Sequence, residues 1–160
     1  MADLFAAGEL INIAVREEVT GAAFYRALAD QTDSEELEAF ARKIAEMEED
    51  HAEKFRKLLE EVGDYKPVAE QYEGEYGEYL SYLIGGRIFP MGDEAKKMAA
   101  AQKTDREAVE TAAEMEKNTL LLYQELLAFV PEKQHDVLRQ IMDEERLHLL
   151  QFTRFKEENF

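Results

Sequence analysis

Cysteine is absent from this chain of 160 residues. Its absence excludes disulfide bonds, metal sites built from thiolates, thioether-attached haem and a cysteine nucleophile. A sequence without cysteine also fits a reducing compartment, where disulfides do not persist.

Positive charge is scarce. The chain has 19 Lys and Arg residues against 36 Asp and Glu residues, which gives a formal net charge of −17. Nucleic acids and anionic membrane surfaces both attract basic proteins, so we expect no nucleic-acid partner and no membrane partner. The same charge would favour the approach of cations, although it would equally serve solubility.

Long apolar runs are also missing. No stretch approaches the ~20 apolar residues of a membrane span, and the N-terminal segment has no basic leader. Hydrophobic residues nevertheless make up 46% of the chain and charged ones 34%, which is typical of a globular protein. We therefore expect a cytoplasmic protein with a single domain over residues 1–160.

Four long segments have the apolar periodicity of amphipathic helices, at about 4–30, 34–62, 104–129 and 132–157. Two residue pairs have the spacing of a capping box at a helix start: Asp33 with Glu36, and Thr104 with Glu107. Gly63 is suited to end the second helix, and Pro131 to the first turn of the last.

The connection between residues 63 and 103 has a different composition. It holds six of the eight glycines, two of the three prolines and five of the seven tyrosines, and only short helices are expected, near 76–84 and from Asp93. We expect an all-α four-helix bundle of two antiparallel hairpins joined by this long crossover. Tyrosines at helical spacing are expected to pack on the bundle or on a second subunit: Tyr72, Tyr76, Tyr79 and Tyr82.

The segment AEMEEDHAEKF, residues 45–55, contains one acid that faces the apolar stripe of its helix. Glu48 follows Ile44 by four residues and precedes Phe55 by seven, and His51 lies one turn further along the same face. The other acids of the segment are expected to face solvent: Glu46, Glu49, Asp50 and Glu53. A carboxylate facing a core needs a partner, which could be a metal ion or a buried histidine.

The same motif recurs in the last helix. Glu145 and His148 have the Glu-x-x-His spacing and lie between Ile141, four residues before, and Phe152, seven residues after. The third histidine, His135, has no such partner and is expected at the surface. The recurrence favours a metal site over an isolated buried His–Glu pair.

The first and third helices each supply one further acid on the buried stripe. Glu18 and Glu116 face inward, whereas Glu17 and Glu114 are expected to point away. Glu18 precedes Glu48 by 30 residues, and Glu116 precedes Glu145 by 29, so the two halves form an internal repeat. At ~1.5 Å rise per residue, all four carboxylates lie ~21–24 Å from their turns and so meet at one height.

A set of four carboxylates and two imidazoles at one height is typical of a site for two divalent cations. The carboxylates carry four negative charges, which two such ions would balance, and these donor types suit iron or manganese better than zinc. A tyrosine follows each acid of the first and third helices by seven residues. Tyr25 and Tyr123 lie two turns, ~10 Å, beyond these acids, so they are candidates to support the ligands or trap radicals, or to be core tyrosines with one hydrogen-bond partner each.

This ligand pattern resembles that of the ferritin-like di-iron carboxylate proteins. The stretches EEVTGAAFY and EEDHAEKF are most similar to the rubrerythrin branch. The resemblance implies that Glu18 and Glu116 are terminal ligands of two iron ions. The remaining positions would be two bridging carboxylates and two imidazole ligands: Glu48, Glu145, His51 and His148.

The chain departs from rubrerythrins in two places. The sequence contains no cysteine to form the rubredoxin domain that they carry, and Ala113 stands where they have an extra glutamate. The resemblance then implies a homodimeric oxidoreductase that reduces peroxide or dioxygen, with electrons from an external donor such as a rubredoxin-like protein. The alternative is a ferroxidase or iron-handling protein, and a metal-free structural bundle is the simplest competing interpretation.

Overall fold

The computed structural model describes residues 7–63, 65, 74–85 and 93–160. Within these ranges the regular structure consists of helices, and the prediction of an all-α helical bundle is confirmed. The six α-helices are α1 (Ala7–Gln31), α2 (Glu35–Val62), α3 (Glu75–Gly85), α4 (Asp93–Ala101), α5 (Asp105–Leu126) and α6 (His135–Asn159).

Two helix pairs form the bundle. Helix α1 packs along α2, and α5 packs along α6, while α1 also contacts α4 and α5, and α2 contacts α6. Short turns join the members of each pair, so each pair is an antiparallel hairpin. Among the described residues, no helix combines the length and the apolar character needed to cross a membrane.

The helix ends agree with the sequence at two positions and differ at two. Gly63 ends α2 with a φ of 53°, and Thr104 starts α5 by accepting a hydrogen bond from the Glu107 N–H. The cap of α2 is Ser34 rather than Asp33, because its hydroxyl accepts from the Leu37 N–H. Pro131 precedes a short 3₁₀ turn at 132–134, so it lies outside the first turn of α6.

The crossover helix α3 lies against α5 through its tyrosines. Tyr76 donates a hydrogen bond to Glu125 Oε2 over 2.6 Å, while Tyr82 is 82% exposed. Packing of Tyr76 on the bundle was one of the two predicted roles of these tyrosines. Tyr72 lies outside the described residues.

The apolar core consists of two clusters, one at each end of the bundle. Helix α1 contributes Leu10 to one cluster and Phe24 to the other, and α6 contributes Ile141 and Phe152 in the same way. On all four long helices, the inward-facing acids lie in the gap between the two clusters. The fold therefore places any charged site at mid-height, with an apolar layer on either side.

Candidate metal centre

Six charged or titratable side chains fill this gap, one carboxylate or one Glu-x-x-His pair from each long helix. Their exposed fractions are Glu18 1%, Glu48 2%, His51 0%, Glu116 1%, Glu145 0% and His148 0%. Burial of four carboxylates this deeply is costly unless positive charge compensates them. The arrangement of the six groups must therefore supply a place for that charge.

The six side chains form two groups of four with two members in common. Glu18, Glu48, His51 and Glu145 form the first, and Glu48, Glu116, Glu145 and His148 the second, with the ligand atoms of each group within 4.8 Å of one another. Because Glu48 and Glu145 belong to both groups, they are placed to bridge two ions. The structure thus brings all six predicted ligand residues together, and their bridging and terminal roles stay a prediction.

The distances within the groups match those between ligands of one ion. His51 Nδ1 lies 2.6 Å from Glu145 Oε1 and 3.5 Å from Glu18 Oε2. His148 Nδ1 lies 3.1 Å from both Glu48 Oε1 and Glu145 Oε2. Bonds of about 2 Å to a common ion place neighbouring ligand atoms about 3 Å apart, as these atoms are.

Several of these atoms are buried without a hydrogen-bond partner, although they lie close to one another. They are Glu18 Oε2, Glu48 Oε1, His51 Nδ1 and Glu145 Oε1. Buried polar atoms in native proteins are nearly always satisfied, so four orphaned atoms in one place indicate a shared partner. Carboxylate oxygens with imidazole nitrogens suit iron, and also manganese, so the residues present fit a di-iron centre.

The buried carboxylates of the cluster repel one another electrostatically. Burial raises the pKa of Glu48 and of Glu116 well above the ordinary range, and the charge of nearby Glu145 raises both further. Burial acts in the same direction on Glu145, but the contacts with His148 Nδ1 and with His51 Nδ1, which lies 2.6 Å from Glu145 Oε1, hold its pKa well below the ordinary range. Two divalent cations would favour the ionised form of these carboxylates.

The two buried tyrosines connect the hairpins crosswise. Tyr25 of α1 donates to Glu116 Oε1 of α5, and Tyr123 of α5 donates to Glu18 Oε1 of α1. Burial, followed by the charge of the bonded glutamate, raises the pKa of each tyrosine well above 10, so both phenols stay protonated and donate. Each tyrosine is thus both a core residue and the group that holds one terminal carboxylate.

Removal of either phenol should therefore destabilise the bundle. We expect Tyr123→Phe and Tyr25→Phe each to lower the free energy of unfolding by about 1.5–3 kcal/mol, because each leaves a buried carboxylate oxygen without its donor. Chemical denaturation of the metal-loaded protein measures this change. The matched control is Tyr82→Phe, at an exposed tyrosine, and an equal loss in all three variants would contradict the assignment.

The neighbouring acids divide as expected, with one exception. Glu46, Glu49, Asp50, Glu53 and Glu114 are exposed. Glu17, which was expected to point away, is only 4% exposed, so that prediction was wrong. The physical reason is that α1 contacts α2, α4 and α5, so its buried face is wider than the stripe that periodicity defines.

Sequence reasoning missed the groups that contact the outer nitrogens of the two histidines. Glu144 Oε2 lies 2.6 Å from His51 Nε2, and Met47 Sδ lies 3.4 Å from His148 Nε2. Both contacts run between α2 and α6, and no spacing within one helix could indicate them. His135 is half-buried rather than at the surface, with Nε2 lying 3.2 Å from the Val130 carbonyl oxygen, and it is not part of either group.

Comparisons with known proteins agree with this fold. The structure of a proposed ferritin-like diiron-carboxylate protein from Thermotoga maritima matches 98% of this chain and 97% of its own length. The TM-score is 0.72 at 24% sequence identity, which shows a shared fold. No curated protein matches the sequence significantly. The model of the family described as Rubrerythrin matches residues 9–156, so the chain belongs to the rubrerythrin family.

Proposed function

We propose that the protein is a non-haem di-iron oxidoreductase of rubrerythrin type, which reduces peroxide or dioxygen with electrons from an external donor. The observation that carries this proposal is the pair of buried ligand groups that share Glu48 and Glu145. When bound and reduced by the external donor, a di-iron centre would supply two electrons to a small oxidant. A rubredoxin-like electron donor and a homodimeric assembly belong to the same proposal.

The burial of the site supports a small substrate. All six ligand residues are at most 2% exposed, and an apolar cluster lies on each side of them. A molecule the size of peroxide or dioxygen needs little opening to reach such a centre, whereas a larger substrate would need helices to separate. The apolar layers would also keep bulk water away and so strengthen the electrostatic interactions within the site.

Hydrogen bonds and close packing hold three of the ligand carboxylates in place. Glu18 and Glu116 each accept a hydrogen bond at Oε1 from a tyrosine of the opposite hairpin, while Oε2 lies 3.5 Å and 3.9 Å, respectively, from a histidine Nδ1 of the same hairpin. Glu48 Oε2 approaches the position of a Gly21 Cβ to 3.1 Å, so the absence of a side chain at Gly21 makes room for this bridging carboxylate. These contacts preorganise the donor set.

The proposal is tested by mixing the reduced, iron-loaded protein with stoichiometric peroxide or with dioxygen. We expect peroxide to oxidise the centre at least about tenfold faster than dioxygen, as followed by absorbance in a stopped-flow instrument. Comparable rates would indicate an oxidase instead of a peroxidase. If neither oxidant reacts with the reduced protein, the proposed activity is wrong.

The second candidate function is iron handling, as a ferroxidase or an iron carrier. The acidic surface favours it, since a net charge of −17 would attract Fe²⁺, and exposed acids such as Glu49 and Glu53 lie on the ligand helix α2. This function predicts iron uptake well beyond two ions per chain, or release to a partner. Two ions that remain bound during repeated oxidation and reduction would favour the oxidoreductase.

A further inference from the structure

The outer nitrogens of the two histidines face groups of different chemistry. His51 Nε2 lies 2.6 Å from a carboxylate oxygen of Glu144, whereas His148 Nε2 lies 3.4 Å from the thioether sulfur of Met47. The inner nitrogens, by contrast, have similar surroundings, because each Nδ1 lies near bridging and terminal carboxylates. The two halves of the centre thus have the same ligand types but different partners for the outer histidine nitrogens.

The two residues that contact the outer nitrogens occupy equivalent positions in the internal repeat. Met47 directly precedes the Glu-x-x-His motif of α2, and Glu144 directly precedes that of α6. Each side chain reaches across to the histidine of the other motif. The same structural position therefore holds a carboxylate on one side of the centre and a thioether on the other.

Glu144 is held firmly in this role. Lys54 Nζ lies 3.2 Å and 3.4 Å from its two carboxylate oxygens, and Gln140 Nε2 donates to Oε1 over 3.2 Å. The side chain is 25% exposed, so its charge is only partly screened. Met47 is partly buried and packs against the apolar cluster that contains Phe24, which offers no polar substitute for a carboxylate.

A carboxylate and a thioether affect a metal-bound imidazole differently. A carboxylate that accepts from the outer N–H fixes the tautomer with the inner nitrogen free, orients the ring and increases its basicity. A thioether sulfur is only a weak acceptor and does little of this. Loss of such a carboxylate partner typically costs 10–100-fold in metal affinity.

We propose that Glu144 is a positioning residue that makes the two metal positions unequal. The position formed with Glu18 and His51 binds a divalent ion more tightly and fills first, and the position formed with Glu116 and His148 fills second. This inference rests on the metal centre of the proposed function. It adds an order of loading and a weaker, more readily exchanged ion.

The test is a calorimetric titration of the metal-depleted protein with Co²⁺ alone. Wild-type protein should bind two ions in two steps whose affinities differ by at least about tenfold. Glu144→Gln should weaken binding at the position formed with Glu18 and His51 by about 10–100-fold and leave binding at the other position unchanged. The matched control is Asp143→Asn, which removes an exposed acid from the adjacent position and should change neither step.

Two further pairs of variants assign the steps independently of Glu144. Glu18→Gln should abolish the tighter step, and Glu116→Gln the weaker one. Met47→Gln provides an acceptor for His148 and should tighten the weaker step, whereas Met47→Leu should leave both steps unchanged. These variants also test the inference if Glu144→Gln does not fold.

The possible outcomes distinguish a failure of the unequal metal positions from a failure of the metal centre itself. Two ions of equal affinity in the wild type would refute the inequality and leave the metal centre intact. Equal weakening of both steps by Glu144→Gln would refute the role of Glu144 in particular. If the wild-type protein binds no Co²⁺, both the centre and the inference are wrong.

Discussion

Replacement of Glu48 by Gln is expected to reduce the metal content of the purified protein from about two ions per chain to fewer than one. Glu48 is 2% exposed and belongs to both ligand groups, so its loss affects both ions. The substitution keeps the volume of the side chain but removes the charge that a bridging ligand supplies. Elemental analysis of protein purified without added chelator measures the result.

The matched control is the neighbouring acid. Glu49 is exposed, and its one described ion pair is with Arg26 over 2.8 Å. Exposed pairs of this kind contribute about 0–1 kcal/mol, so Glu49→Gln should leave metal content and folding essentially unchanged. If both variants load metal equally, Glu48 is not a ligand, and the division of this acidic segment into one buried acid and several exposed ones carries no chemical meaning.

The sequence alone could indicate the centre because its signal lies within single helices. Glu48 and His51 share a face with Ile44 and Phe55, and the structure buries all four. The 3.6-residue period relates such residues directly, and its recurrence around Glu145 made chance less plausible. The same reasoning failed for Glu17, because one apolar stripe does not show how many neighbours a helix will contact.

Contacts between helices could not be predicted in the same way. The seven-residue spacing of Tyr123 from Glu116 defines only its position along α5, and its hydroxyl bonds Glu18 of α1. Likewise, Glu144 lies next to Glu145 in sequence but contacts His51 of α2. Both partners depend on the rotation and height of one helix against another, which are set by packing of the whole bundle rather than by any local period.

The exact residue at which α2 begins could not be predicted from the sequence either. Asp33 and Ser34 are both good caps, and the sequence does not distinguish which of two adjacent residues leaves the helix. In the structure, the Ser34 hydroxyl accepts a hydrogen bond from the Leu37 N–H, and the Thr32 hydroxyl accepts one from the Ser34 N–H. The N-cap of α2 therefore lies one residue later than expected. The shift is small and leaves the inward face of α2 unchanged.

Removal of the metal is expected to lower the unfolding temperature of the protein by about 10 °C or more. An ion that binds only the folded state, at a free concentration of about a thousand times its dissociation constant, stabilises that state by about 4 kcal/mol. For a domain of this size, 1 kcal/mol corresponds to about 2–4 °C. Differential scanning calorimetry of metal-loaded and chelator-treated protein measures the loss, which should be small in Glu48→Gln, since that variant holds little metal to remove.

The decrease in stability on metal removal should also become larger as pH rises, because two of the buried carboxyl groups have raised pKa values. Burial, followed by the charge of Glu145, raises the pKa of Glu48 and of Glu116 in the folded protein, so without metal the folded state retains protons that the unfolded state releases above a pH of about 4.3. The stability of the chelated protein therefore falls as pH rises through these raised values, whereas metal binding displaces the protons and strengthens in the same direction. We expect the difference in unfolding temperature between metal-loaded and chelator-treated protein to increase from about pH 5 to pH 7. A difference that decreases over that range would mean that these carboxyl groups do not bind the metal.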